Sequence, residues 1–407
     1  MPSMRLYNTA TRAVEPFTVR DNTVSMYVCG VTPYDTTHVG HGFTYVAFDT
    51  LARHLAHKGY DVRYVQNVTD IDDDILKRAA RDGVAWDALG REQTTIYLRD
   101  MAALNVTTPE LYVRATNEIP AMVKIAHALL DRGLAYERGG SVYYRVASDP
   151  SFGQTLTTLS YAEMLATANA NGNYPDDPNK EDPLDFVLWQ AAKPGEPSWE
   201  SPWSLGRPGW HIECSALSLS YLGQQIDIHG GGSDLIFPHH SCEIAQSVPY
   251  TGVAPFARYW VHTAIVRQDG EKMSKSLGNM TFVRDVLHTH HPDALRLYLL
   301  DHHYRGVWEY QPNGPETMDA PAAQMREAAG VEGGTGPALD VSRQRERFFN
   351  AMDDDLQTPS AIASCREAAV AILQAAAEGW DVRAAQETLR ELAGVLGLWL
   401  DTSPARL

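Results

Sequence analysis

The residues best suited to chemistry fall into two phosphate-handling motifs and one scattered set of soft donors. His38-Val39-Gly40-His41 comes early and Lys272-Met273-Ser274-Lys275-Ser276 comes late. Two imidazoles at the start of a helix can donate hydrogen bonds to a pentacovalent phosphate, and a glycine between them lets backbone come close. Lys272 and Lys275 follow the turn Gln268-Asp269-Gly270. On a mobile loop they can neutralise the β- and γ-phosphates and a departing diphosphate. Taken singly, each motif also reads as a solvated loop.

The soft donors are Cys29, Cys214, His239 and Glu243. The two cysteines are far apart, so there is no local C-x-x-C knuckle. His239 and Glu243 are spaced i, i+4, which puts them on one face if the segment is helical. Mixed sulfur, nitrogen and oxygen donors suit a tetrahedral zinc ion. Buried structural cysteines are the plainer alternative, and Cys242 is a competing ligand that lies off that face. Trp210, four residues before Cys214, either walls a small apolar pocket or packs in the core. Asp70, Asp72 and Asp73 fit helix capping better than magnesium, which takes only one or two protein carboxylates beside phosphates. Together, phosphate groups and soft donors imply activation of a carboxylic acid by ATP, with a metal that checks the substrate for a thiol.

These residues need a scaffold. Ser25 to Gly30 reads as a buried strand ending in a glycine turn, Thr44 to Ala56 as a helix and Asp61 to Val68 as a second strand. This β-α-β order predicts a parallel sheet, with ligands at the carboxyl ends of its strands. Residues 85–135 read as helical, Ser141 to Val146 as a strand, and 165–183 as a loop within an insertion. Ile226 to Gly232 reads as a strand and then a glycine turn, 311–340 as a linker, and 341–400 as helices. The expected division is a catalytic domain over 1–275 with an insertion around 110–205, a stem-contact-like or linker region over 276–335, and a helical bundle over 336–407.

The chain has 407 residues, 44% of them hydrophobic and 21% charged, as in ordinary globular proteins. No apolar run reaches the ~18 residues of a membrane span, and the N-terminus lacks a signal-peptide core. The expected location is the cytoplasm. Four cysteines are too few for a disulfide scaffold, and Cys365, in an Ala-rich helical stretch, is expected to pack in the core. A net charge of −17 argues weakly against a large polyanionic partner, and no DNA is expected; a local basic patch can survive an acidic average, so RNA is not excluded. Lys275 is the last lysine, and from residue 310 onward 8 Arg face 15 Asp and Glu.

In this order the two motifs match the two signatures of class I aminoacyl-tRNA synthetases. From about Met4 to Leu400 the chain resembles the cysteinyl-tRNA synthetase family, which includes the shorter cysteine ligases of mycothiol biosynthesis. The most specific pieces are Met26 to Gly30, Tyr64 to Asp73, Gly206 to Cys214, Gly230 to His240 and Lys272 to Asn279. The resemblance implies an α/β fold: a Rossmann-like catalytic domain with an insertion, then a C-terminal helical bundle, and no anticodon-binding domain beyond it. It implies one zinc ion on Cys29, Cys214, His239 and Glu243, binding the thiolate of the substrate cysteine. Mg-ATP is the second substrate. It gives catalytic roles to His38, His41, Lys272 and Lys275. ATP would meet Gly40, Gly230, Gly231, Gly232, Asp234, Ser274 and Ser276. Cysteine would meet Gly30, Thr32, Thr69, Trp210 and His229. Cysteinyl-adenylate would form first, and an acceptor would then take the cysteinyl group.

The acceptor divides the family. Thr32 to Asp35, His41 (where the synthetases usually have Asn) and Gly230 to Asp234 resemble the mycothiol ligase, as does a chain ending near the start of an anticodon domain. Glu243, His229 and Asp182 to Phe186 resemble the synthetases. The expected acceptor is an amino sugar of the glucosaminyl-inositol type, with tRNA-Cys as the alternative. A non-catalytic cysteine- or zinc-binding paralogue is a third reading, but it would not need His38, His41, Lys272 and Lys275. Nothing in the sequence specifies an oligomeric state.

Overall fold

The computed structural model describes residues 4–35, 37–273 and 278–400. Five strands form its central sheet: β1 (Thr23–Val31), β2 (Asp61–Val68), β3 (Leu111–Arg114), β4 (Ile226–Gly232) and β5 (Ala257–Thr263). The order is β5-β4-β1-β2-β3, and every pairing is parallel. The chain builds outward from β1 in one direction and returns to its other side with β4. That makes the β1/β4 boundary a topological switch point, where a crevice opens at the carboxyl ends of the strands.

Alternation along β1 determines what faces that crevice. Val24, Met26 and Val28 enter one core, while Tyr27 and Cys29 enter another on the opposite face. Helix α1 (Val39–His57) crosses from β1 to β2. Gly30 interrupts the register of β1 against β2. A Cβ there would lie 1.6 Å from the backbone oxygen of Asn67, so the strand end closes only with glycine.

An insertion separates β3 from β4. It holds helix Ile119–Asp131 and a four-stranded antiparallel sheet of Ala135–Arg138, Ser141–Tyr144, Phe186–Ala191 and Gly206–Pro208. The last of these strands leads directly into helix α2 (Trp210–Leu222). After β4 an irregular turn, Ile236–His240, leads into helix α3 (Ser241–Thr251).

The C-terminal helices are Pro292–Leu300, Glu316–Gly330, Ser342–Asp353, Thr358–Ala377 and Arg383–Leu396. They share one core with α1 and the sheet. Buried ion pairs reinforce the join. The Arg296 guanidinium meets Asp49 of α1 and donates to the carbonyl of Leu104 at 2.7 Å, with both charged side chains at most 1% exposed. Asp353 accepts from His54 at 2.9 Å and from Lys58 at 2.7 Å at the far end of α1. Cys365 is fully buried in the bundle, as expected.

Four elements differ from the sequence reading. The stretch 165–183 is not all loop, because helix Tyr161–Ala170, opened by a Ser160/Glu163 capping box, runs into it. The stretch 85–135 is not uniformly helical, because Leu111–Arg114 supplies an edge strand too short to show a period. The stretch 311–340 contains a full helix, Glu316–Gly330. Its buried Met318, Ala322, Met325 and Ala329 keep helical spacing beneath a high proline and glycine content. Gly230 to Gly232 lie within β4 and do not form a turn. A Cβ on Gly230 would come 2.3 Å from the Phe48 ring, so the strand is glycine-rich for closeness to α1.

Candidate active site

A cleft of about 750 Å³ opens over the carboxyl ends of β1 and β4. His38 caps α1: its Nδ1 accepts from the His41 backbone N–H at 3.3 Å. The two rings stack with centroids 3.7 Å apart. Burial, then the neighbouring His41 and Lys272, hold the His38 imidazole well below its ordinary value. Burial and Lys272 push His41 down to about 4. Both rings are therefore neutral near pH 7, each with a proton to donate to an anion.

Across the cleft, Lys272 donates to Asp234 at 2.6 Å. Asp234 lies just beyond the end of β4. His38, Gly40, His41, Gly232, Asp234 and Lys272 all line the cleft. Ser274, Lys275 and Ser276 lie outside the described residues.

Beneath the cleft sits the soft-donor cluster. Ligand atoms of Cys29, Cys214, His239 and Glu243 all lie within 4.8 Å of one another, and all four residues are buried. Their sources are β1, α2, the turn after β4, and α3. The Glu243 carboxylate is 3.3 Å from His239 Nε2 and 3.6 Å from Cys29 Sγ. Cys242 belongs instead to the core of the insertion, so geometry favours Glu243 as the fourth donor. Burial raises the Glu243 carboxyl well above its usual range; burial, then Cys214, does the same to the Cys29 thiol. Glu243 Oε2 makes no hydrogen bond within the described residues. A divalent cation would relieve both conditions, by stabilising the anions and filling the empty coordination of the carboxylate. The donor set fits such an ion.

Trp210 lies over this cluster at the start of α2. Its ring stacks on His239 with centroids 4.4 Å apart, and it lines the cleft, so it walls the pocket rather than the core. Gly30, Thr32 and Cys29 line the same floor. Four expected ligand-binding residues are not on the cleft lining. Thr69 is buried and accepts from Asn67 at 3.0 Å. His229 is fully buried behind Cys29, 3.7 Å from its sulfur. Gly230 and Gly231 are buried within β4.

The acidic run is structural, as expected. Asp72 caps helix Asp73–Asp82 by accepting from the Asp74 N–H at 2.7 Å. Asp73 pairs with Arg207 of the insertion, and Asp70 accepts from Arg114 at 2.9 Å.

Sequence reading missed an imidazole network around the cluster. His240 Nε2 is 3.3 Å from Cys29 Sγ, and its Nδ1 is 2.7 Å from His262 Nε2. His262 in turn meets Thr9 at 2.8 Å. His211 and His239 meet through their Nδ1 atoms at 2.9 Å. Period-two alternation in Trp260-Val261-His262 was the available signal, since it puts His262 on the same strand face as Trp260.

Residues 16–318 match the family model for the class I (C) tRNA synthetase catalytic domain, and residues 347–401 match a DALR domain. The chain belongs to the class I tRNA synthetase family. It falls in the branch made up of ATP-dependent cysteine ligases. It is 45% identical to a cysteine–tRNA ligase of Dehalococcoides mccartyi (strain 195), over 98% of this chain and 86% of that protein. It is also 45% identical to a cysteine–tRNA ligase of Pseudomonas syringae pv. tomato, over 97% of this chain and 85% of that protein. An L-cysteine:1D-myo-inositol 2-amino-2-deoxy-alpha-D-glucopyranoside ligase of Frankia casuarinae is 46% identical over 89% of this chain and 77% of that protein. Among solved structures, a Mycobacterium tuberculosis methionyl-tRNA synthetase with methionyl-adenylate superposes with a TM-score of 0.63. At 14% identity over 92% of this chain and 88% of that one, this likeness concerns the fold alone. No helix among the described residues is long and apolar enough to cross a membrane.

Proposed function

We propose that this protein joins L-cysteine to tRNA in two steps, by way of cysteinyl-adenylate. The observation that carries the reading is the stacking of two chemistries in one cleft: the phosphate groups His38, His41 and Lys272 above, the buried thiol–imidazole–carboxylate cluster below.

In the first step the cysteine carboxylate attacks the α-phosphorus of Mg-ATP in line, and diphosphate leaves. His38 and His41, neutral before ATP arrives, donate hydrogen bonds to the oxygens of the pentacovalent phosphate. Lys272 moves its charge from Asp234 to the departing phosphates, and Lys275 is expected to join it. Gly232 lets the adenosine lie against backbone, with Asp234 beside it. In the second step a hydroxyl of the tRNA end attacks the carbonyl carbon of the adenylate, and AMP leaves.

Zinc is the ion that the donor set suits, held by Cys29, Cys214, His239 and Glu243. When bound, it would supply a contact for the substrate thiolate that serine cannot reproduce. A shape pocket alone separates such near-isosteres poorly. Trp210 closes the pocket from above, while Gly30 and Thr32 form its floor. Thr69 and His229 act from behind that floor.

For the acceptor, the relatives support tRNA over the amino sugar that the sequence suggested. Of eight close relatives, seven are cysteine–tRNA ligases, matched over 87–100% of the chain, and one is the amino-sugar ligase, matched over 89%. The test is cysteine-dependent AMP release with unfractionated tRNA and with glucosaminyl-inositol in parallel. Acid-precipitable cysteinyl-tRNA supports the proposal. Stimulation by the amino sugar alone would restore the amide-forming reading.

A further inference from the structure

We propose that the cluster contains a second, inner metal position made by Cys29, His229, His240 and Glu243. It shares Cys29 and Glu243 with the outer set, so one ion can occupy either position but not both. This rests on reading the cluster as a metal site.

The spacing of the inner set is close to that of donors around one ion. With bonds of about 2.0–2.3 Å, the donors around zinc stand roughly 3.3–3.8 Å apart. Cys29 Sγ is 3.7 Å from His229 Nε2, 3.3 Å from His240 Nε2 and 3.6 Å from Glu243 Oε1. Glu243 Oε2 is 3.3 Å from His229 Nε2, and its Oε1 is 3.9 Å from His240 Nε2. All four donor atoms lie within 4.8 Å of one another. These residues are at most 4% exposed.

Hydrogen bonding outside the set points the same way. A histidine ligand is normally oriented by a partner on its other nitrogen. His240 faces Cys29 through Nε2 and gives Nδ1 to His262, which is anchored by Thr9. His239 of the outer set has the same arrangement, with Nε2 toward Glu243 and Nδ1 on His211. Adjacent histidines thus serve two centres. His229 differs, since its Nδ1 has no hydrogen-bond partner among the described residues. The inner position replaces one thiolate by one imidazole, so it discriminates less strongly for soft ions than the outer position. It can retain the ion when Cys214 is oxidised or alkylated.

The test uses full-length protein stripped by a chelator and titrated with Co(II). Its readouts are bound cobalt and the thiolate-to-cobalt charge-transfer band. Wild type should bind one Co(II), with the band of two thiolates. Cys214→Ser should still bind one, with the band reduced to about half. Adding His240→Ala to Cys214→Ser should weaken binding at least ~10-fold, the size of effect seen when a ligand's environment is lost. The same His240→Ala change in wild type should alter affinity by no more than a few-fold. Cys214→Ser that retains its circular dichroism yet takes up no cobalt would overturn the inner position. So would equal effects of His240→Ala in the two backgrounds. If Cys214→Ser does not fold, Cys214→Ala replaces it, with the same expectations. Wild type that binds no metal at all would instead sink the underlying metal reading.

Discussion

Lys272 Nζ stands 2.6 Å from Asp234 Oδ2, across the mouth of the cleft that also holds His38 and His41. The lysine proposed to bind phosphate thus rests on a carboxylate. Both side chains are substantially exposed, so the pair adds little to stability and its meaning is positional. Lys272→Met should lower cysteine-dependent ATP–diphosphate exchange by about 100- to 1,000-fold, as for a lost electrostatic donor. Asp234→Asn should lower it less. The double variant should be no worse than Lys272→Met alone. Strict multiplication of the two effects would show that the residues act independently.

Acid should weaken the fold through His41. Its imidazole is pushed from the ordinary 6.5 down to about 4, by burial and by Lys272. Between those values the unfolded chain binds a proton that the native chain does not. Stability is therefore full above pH 6.5 and declines as pH falls toward 4. Burial likewise pushes His262 down to about 3, adding to the same trend. Thermal midpoints of metal-free protein at pH 7.5, 5.5 and 4.5 should fall in sequence. His41→Asn should flatten part of that slope, and an unchanged slope would mean that His41 titrates normally.

The catalytic half and the bundle should unfold together. Asp49 of α1 and Arg296 of the bundle form a pair buried from solvent on both sides. Removing one partner of such a pair costs about 3–5 kcal/mol, since the other charge stays buried. Asp49→Ala should lose about that much in urea titration, with fluorescence and far-ultraviolet dichroism falling in one transition. A loss under about 1 kcal/mol would mean that Arg296 is satisfied by its carbonyl partners alone.

Metal removal should separate selectivity from phosphate chemistry. Stripped protein should lose cysteine-dependent exchange and recover it with Zn(II), one ion per chain. ATP binding, measured by calorimetry, should survive. Unchanged cysteine-dependent exchange in protein shown to be metal-free would remove zinc from the reading.

How much was legible beforehand depended on whether the cue was local. The β1-α1-β2 unit was readable because strand alternation and helical spacing each persist over several turns of chain. His38 was readable as lying between a strand and a helix, although α1 begins at Val39 and not at Thr44. Leu111–Arg114 was hidden by its length, and helix Glu316–Gly330 by Pro321 and its glycine neighbours. Cys29, Cys214, His239 and Glu243 could be named from the resemblance, although they come from four separate elements. His240, His262 and His211 could not, because their relation to Cys29 and His239 exists only after β1, β4 and β5 align. Thr69 and His229 are expected to meet cysteine, and the structure shows both buried and off the cleft lining. Sequence states residue identity and neighbourhood, but not which side of a wall a side chain takes.

Helix α1 carries His41 in its first turn and is held at its other end by Asp353 of the bundle. With 19 residues it is a rod of about 28 Å. A tilt of about 2° at the bundle end would carry His41 through about 1 Å, given that length. A displacement of that size is enough to slow a reaction by ~100-fold. The bundle thus fixes the end of the helix whose tip carries the proposed phosphate groups. Substitutions around Asp353, far from any substrate, belong with those in the cleft when variants are sorted by their effect on rate.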